Sequence, residues 1–440
     1  MGPRGGRKGR RATVDRGGRG PLITDVRLRN GVRVLCEPLA GCRTASVGIW
    51  FQAGSRDDAP YGAGAAHLLE HVVFKGGRRH GARSLAEAMD TLGGQFNAFT
   101  TREHTCFHAR TIGSRLAEGL DLLAEMVVDP RCDAPEVERE RSVVCDELAM
   151  LADDPGEIVD ELFSAALWGG HPLGQPPAGT LESVRALDAD TLLRFHRTHY
   201  VGERCVVAAA GRLQAEPFLA AAEAALGALP PGTAAQPRPA PEPHGLARAR
   251  GRRSEQAHLV FGSPGPTLRS PDRWAAALYV SMLGGSPSSR LFQSLREERG
   301  LCYDVGVSDA EYEDAGEVAV FLATGPREAA RAAELAIAEV RRLAEAGPTE
   351  QECRRHCDLL VAAVQMGMEG AEARMTRLGR HAVAGLPLLA VEQVVRRIQR
   401  VSPADVQATG RRLGDPSAWA AAFVGPPGGR PGPWRWEAAP

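Results

Sequence analysis

Two histidines four residues apart, with a glutamate between them, make His67-Leu68-Leu69-Glu70-His71 the stretch of this chain best suited to chemistry. It lies in a segment from Gly62 to Lys75 built mostly of helix-forming residues. At about 3.6 residues per turn, His67 and His71 project from one face of a helix, and Glu70 falls on the same side. Such a face can offer two imidazole nitrogens to a divalent zinc ion and a carboxylate that takes a proton from water beside it.

The order His-x-x-Glu-His reverses the commoner His-Glu-x-x-His and is the inverzincin signature. The competing reading is a helix whose histidines are solvated or hydrogen-bonded in a core. Two histidines do not complete a zinc site, which needs a third protein ligand and an open position. The acidic stretch Glu140-Arg-Ser-Val-Val-Cys-Asp-Glu147 offers candidates, because Glu140 and Glu147 lie two turns apart and face one way on a helix. Val143, Val144 and Leu148 are expected to bury part of that helix. On residue type alone, both glutamates read as solvated surface charges.

The elements that position these residues are legible in outline. Ile23 to Leu28 and Val32 to Leu35 flank Asn30-Gly31, a two-residue turn signal, so order is expected to begin with a hairpin. Ala45 to Ala53 alternates as a further strand and leads through a loop into the His67 helix. Ser84-Leu-Ala-Glu87 reads as a capping box opening a short helix that Gly93-Gly94 closes. Gln95 to Thr100 and His104 to Thr111 read as strands, and Leu116 to Val127 as an amphipathic helix. Asp133-Ala-Pro-Glu136 reads as the start of the acidic helix.

Composition then divides the chain. Residues 1–21 are glycine, arginine and lysine with almost nothing apolar and are expected to be a disordered basic tail. Residues 22–226 form a first half, 227–255 a linker rich in proline and alanine, 256–425 a second half, and 426–440 a Pro/Gly-rich end. The second half partly repeats the first: an α+β unit of strands and helices. Where the first has the His67 helix, the second has Trp274-Ala-Ala-Ala-Leu-Tyr-Val-Ser-Met, without metal ligands.

With 440 residues and a formal net charge of −1, the chain has room for two or three domains and is no general binder of nucleic acid or membrane. No apolar run is long enough to span a bilayer, and no apolar segment follows the basic N-terminus as in a signal peptide. Nine scattered cysteines point to reduced thiols and a cytoplasmic setting. Cys353 and Cys357, one turn apart with His356 between them, could hold a metal but read better as an idle or buried pair.

Several spaced motifs together carry a resemblance. They are His67-Leu-Leu-Glu-His71, Glu147 76 residues further on within Val-Val-Cys-Asp-Glu-Leu, Ala-Gly-Ser55-Arg56, Val-Phe-Lys75-Gly, and Gly93-Gly-Gln-Phe-Asn97-Ala-Phe-Thr100-Thr-Arg-Glu-His104-Thr. In the second half, the stretch from Gly284 through Arg296-Glu-Glu-Arg-Gly-Leu-Cys-Tyr303 joins them. Across roughly residues 23–425 the chain resembles the pitrilysin, insulysin and mitochondrial processing peptidase family.

The resemblance implies an α+β fold of two homologous halves, each an antiparallel-rich sheet with helices packed on it, facing each other across a substrate chamber. It implies one Zn2+ held by His67, His71 and Glu147, with Glu70 as general base and Glu140 steadying a ligand histidine. Asn97, Ala98 and Thr100 would lie on an edge strand to which an extended peptide adds. Arg296 and Tyr303 would reach the substrate from the second half, Tyr303 polarising the scissile carbonyl. The expected activity is zinc-dependent hydrolysis of unstructured peptides by a homodimer, with no nucleic-acid or membrane partner. The alternative is a non-catalytic or structural subunit that binds extended peptides. Cys302, where alanine is usual, and the basic loop Gly77 to Ala82 are small departures that touch no proposed ligand.

Overall fold

Asn30-Gly31 does reverse the chain, but through a three-residue loop in place of a two-residue one. The Leu28 amide donates to Val32 O (2.8 Å), the Gly31 amide to Leu28 O (3.1 Å), and Gly31 takes a positive φ of 97°. Asn30 is not free to form a tighter turn, because its side-chain amide donates to the carbonyls of Leu226 and Leu229. The computed structural model in which this is seen describes residues 12–14, 23–426 and 429–439.

The chain divides into two compact units. The first is built on a seven-stranded sheet of β1 (Ala12–Val14), β2 (Ile23–Arg27), β3 (Arg33–Pro38), β4 (Thr44–Phe51), β5 (Gln95–Thr100), β6 (Thr105–Ile112) and β7 (Cys205–Gly211). Their spatial order is β1-β2-β3-β7-β4-β6-β5. The strand β1 falls within the expected tail and pairs with β2; the rest of residues 1–22 lies outside the described residues.

One face of this sheet carries α1 (Ala65–Val73), α2 (Ala82–Leu92) and α3 (Leu116–Val128) over a core that includes Val47, Ile49, Phe51, Leu69, Phe107 and Leu123. The acidic helix α4 (Ala134–Leu151) adds Val137, Val144 and Leu148 to that core. Val143 does not join it: it is 48% exposed, because the inward stripe runs through Val137, Glu140, Val144 and Leu148. The capping box expected at Ser84 is also absent. The α2 helix starts three residues earlier with Gly81 as N-cap; Ser84 Oγ donates back to Gly81 O, and Glu87 pairs with Arg83.

The second unit has a six-stranded sheet of β8 (Ala247–Gly251), β9 (Ala257–Pro264), β10 (Cys302–Glu311), β11 (Gly316–Thr324), β12 (Ala420–Gly425) and β13 (Glu437–Ala438), ordered β10-β11-β9-β12-β8-β13. Strand for strand, β8-β12-β9-β11-β10 repeats β3-β7-β4-β6-β5, including the parallel pairing of β8 with β12 and of β3 with β7. The helix Arg273–Leu283 follows β9 as α1 follows β4. The duplication is therefore present in the topology. Two composition readings need correction here. The end of the Pro/Ala-rich stretch forms β8, and the Pro/Gly-rich end packs Trp434 and Trp436 on the second core.

The units are not contiguous in sequence. The first includes residues 367–390, and the second includes residues 149–176. The helix Ala371–Val383 covers the other face of the first sheet, burying Met375, Leu378, Ala382 and Val383 against Leu35, Trp50, Val206, Ala208 and Ala210. Reciprocally, Pro155–Trp168 packs Ile158, Val159, Phe163 and Ala166 on Val260, Ala319, Ala420 and Ala422 of the second sheet.

Candidate metal centre

The helix that presents His67 and His71 has no capping residue of its own, since its N-cap position is Gly64 in the left-handed region (φ 89°). A Cβ there would stand 2.6 Å from Ala178 O, so both conformation and space require glycine. The cap comes from Asp58, whose buried carboxylate accepts from the amides of Gly64 (2.7 Å) and Ala66 (2.9 Å). Burial pushes the Asp58 carboxyl up to about 7 against those bonds. Sequence reading missed this residue; the signal, an aspartate in the loop before the helix, is ambiguous without the loop's path. Leu68, Leu69, Val72 and Val73 then bury the opposite face of α1, leaving His67, Glu70 and His71 half-buried on the other.

The α4 helix brings both of its glutamates to this face. Glu147 Oε2 lies 3.6 Å from His71 Nε2 and 3.9 Å from His67 Nε2. One ligand atom from each of His67, His71 and Glu147 lies within 4.8 Å of the others, the one such group among the described residues. Two zinc ligands at tetrahedral angle stand roughly 3.3 Å apart, so small side-chain rotations bring these atoms to a zinc ion. The donor set of two imidazoles and one carboxylate, with a side open to solvent, fits zinc with a free position. Cys353, His356 and Cys357 form no such group; His356 Nδ1 bonds Ser281 Oγ at 2.9 Å.

The electrostatics of the group suit this use. Burial and the neighbouring His71 lower the His67 pKa against the opposing pull of Glu147, favouring the neutral imidazole that a metal requires. Glu70 is pushed up to about 7 by burial, with the Thr100 hydroxyl pulling down and the Glu147 charge pushing up. A carboxylate poised near neutrality can both take and return a proton. Glu140 is 7% exposed; its Oε2 lies 3.6 Å from His71 Nδ1, while Lys75 Nζ holds its Oε1 at 2.7 Å.

The edge strand expected at Asn97 to Thr100 is β5, last in its sheet and paired on one side with β6. Asn97 Oδ1 accepts from the Ala98 amide (2.9 Å), and Thr100 Oγ1 donates to Glu70 Oε2 at 2.5 Å. Thr100 is thus tied by its side chain to the metal helix, which the sequence reading did not foresee. In the second unit, Arg296 sits in a π-helical turn, Phe292–Glu297, with its guanidinium over the ring of Tyr303 (5.9 Å). Tyr303 is 75% exposed at the start of β10.

Residues 33–181, which contain every proposed metal ligand, match the model of the insulinase family, peptidase family M16. Residues 186–360 match the model described as the peptidase M16 inactive domain. An uncharacterized zinc protease of Mycobacterium tuberculosis is 38% identical over 412 residues, covering 92% of this chain and 93% of its own. One from Streptomyces coelicolor is 36% identical over 87% of this chain and 85% of its own, and one from Bacillus subtilis is 31% identical over 93% and 100%. Among solved structures, a peptidase M16 inactive domain from Pseudomonas fluorescens superposes with a TM-score of 0.86 at 22% identity, covering 92% of this chain and 98% of that one. A protease from Helicobacter pylori gives 0.86 at 19%, over 92% and 100%.

Proposed function

Because the chain belongs to the insulinase family, peptidase family M16, we propose that it is a zinc-dependent endopeptidase acting on unstructured peptides or polypeptide segments. The observation that carries this reading is the convergence of His67, His71 and Glu147 within 4.8 Å, with Glu70 on the same helix face. When bound, zinc supplies a Lewis acid that polarises the scissile carbonyl and acidifies water. Glu70 takes one proton from the attacking water as its oxygen joins the carbonyl carbon. It returns that proton to the amine when the C–N bond breaks. Thr100 holds one Glu70 oxygen throughout, leaving the other for the water. The free edge of β5, at Asn97 and Ala98, offers backbone donors and acceptors to an extended substrate. Arg296 and Tyr303 are assigned to the substrate as well, with the Tyr303 hydroxyl donating to the carbonyl oxygen.

The same reading proposes a cytoplasmic homodimer that needs no second kind of chain, since this one carries both the zinc motif and the Arg296–Tyr303 pair. The nine cysteines are free and suit a reducing compartment. Among the described residues no helix is long and apolar enough to cross a membrane.

The alternative, a non-catalytic subunit that binds extended peptide, draws on the inactive-domain match, but that match covers residues 186–360, which contain none of the proposed ligands. The test is zinc content together with cleavage of a panel of quenched peptides by wild type and Glu70→Gln. We expect one zinc per chain and a loss of kcat of at least about 100-fold in the variant. Full metal with no cleavage of any peptide favours the binding subunit. Unchanged activity of Glu70→Gln overturns the mechanism.

A further inference from the structure

Behind the two histidines the site is asymmetric. His67 Nδ1 is buried and, among the described residues, has no hydrogen-bond partner. His71 Nδ1 instead faces Glu140 Oε2 at 3.6 Å. Glu140 is itself nearly inaccessible, and a carboxylate is costly to bury without a partner. That partner is Lys75, whose ammonium lies 2.7 Å from the other oxygen, Oε1. Lys75 stands just beyond the end of α1, where its amide still donates to Val72 O, so its backbone is registered to the turn that carries His71. A cation at this end of the helix is also favoured by the exposed carbonyls there.

We propose that Lys75 is a positioning residue for the metal. By clamping Oε1 of Glu140, it aims Oε2 at His71 Nδ1 and fixes the imidazole with Nε2 turned toward Glu147. Without the clamp, the Glu140 carboxylate can rotate away from His71, which frees the ring. Because His67 Nδ1 has no such partner among the described residues, the Lys75–Glu140–His71 chain is the support the ligand pair has from behind. Removing a group that orients a metal-bound histidine weakens metal binding by about 10- to 100-fold in general.

The inference rests on the zinc reading above, and its test separates the two. The full-length protein is stripped of metal, its zinc affinity is measured by competition with a chromogenic chelator, and the melting temperature of the metal-free form is recorded. Lys75→Met is expected to weaken zinc binding by about 10- to 100-fold, Lys75→Arg by no more than about threefold, and Glu140→Gln as much as Lys75→Met. The double variant should be no weaker than Glu140→Gln alone, since both act through one chain of contacts. Should Lys75→Met fail to fold, Lys75→Gln takes its place and the Glu140→Gln comparison stands. Wild-type zinc affinity in a folded Lys75 variant, even one with a lowered melting temperature, overturns the proposal and leaves Lys75 a structural partner of Glu140. Additive losses in the double variant overturn it as well. A wild type that takes up no zinc removes the metal reading itself, and this proposal with it.

Discussion

Thr100 shows how a single hydroxyl can serve two readings that kinetics can tell apart. Its backbone lies on the open edge of β5, while its Oγ1 donates to Glu70 at 2.5 Å. If the side chain orients the base, Thr100→Val removes a bond to a charged group worth about 1.5–3 kcal/mol, or about 10- to 100-fold in kcat, with KM nearly unchanged. Thr100→Ser restores most of the rate. A raised KM with an unaltered kcat would instead leave Thr100 with the substrate strand alone. The motif His67-Leu-Leu-Glu-His71 was legible in sequence because its spacing is that of a helix turn. The Thr100 bond was not, because it spans thirty residues and depends on how β5 packs against α1. Lys75 was visible only as part of a motif, with nothing in the spacing to pair it with Glu140.

At the scale of elements, the metal helix is held at both ends by carboxylates remote in sequence: Asp58 caps its start, and Glu125 of α3 fixes the loop that follows it. Glu125 accepts from the amides of Arg79 (2.6 Å) and His80 (2.8 Å) and pairs with both side chains. Burial pushes the Glu125 pKa up, but the His80 ring, those amides and the Arg79 charge outweigh it, so the net shift is downward. A carboxylate lowered in the folded state stabilises it above its ordinary pKa, and that contribution fades as pH falls through the lowered value. Glu125→Gln is therefore expected to cost about 1–3 kcal/mol at pH 7 in denaturant titrations, a difference that shrinks below about pH 4. A difference independent of pH would show that the ionised carboxylate is not what holds the loop. Local patterns misled the sequence reading at just such places. Ser84 and Glu87 have capping-box spacing, yet the bridge between Gly76 and Gly81 starts the helix earlier. In β8, Ala247 and Ala249 point inward between arginines, an alternation that the surrounding prolines masked.

For the whole molecule, topology repeats where sequence barely does, and the repeat is completed by an exchange that no local pattern encodes. The amphipathic pattern of residues 371–383 announces a helix with one apolar face but does not say which sheet receives it. The receiving sheet is in the first unit, where Gly379 admits Trp50 so closely that a Cβ would stand 2.1 Å from its indole nitrogen. Leu35, Trp50, Val206, Ala208 and Ala210 would all lose their cover if that helix were missing. Truncating one well-packed core side chain to alanine commonly costs about 2–5 kcal/mol, while a whole domain is stable by only about 5–15 kcal/mol. Losing Met375, Leu378 and Val383 together is therefore enough to unfold the unit. The fragment 1–226, which contains His67, His71 and Glu147, should accordingly melt without cooperativity and hold zinc weakly. Joining residues 367–390 to it through a flexible linker should restore a cooperative transition. A cooperative melt of the fragment 1–226 alone would mean that α1 to α4 suffice to stabilise the first sheet, and that the exchanged helix contributes cover without being required for folding.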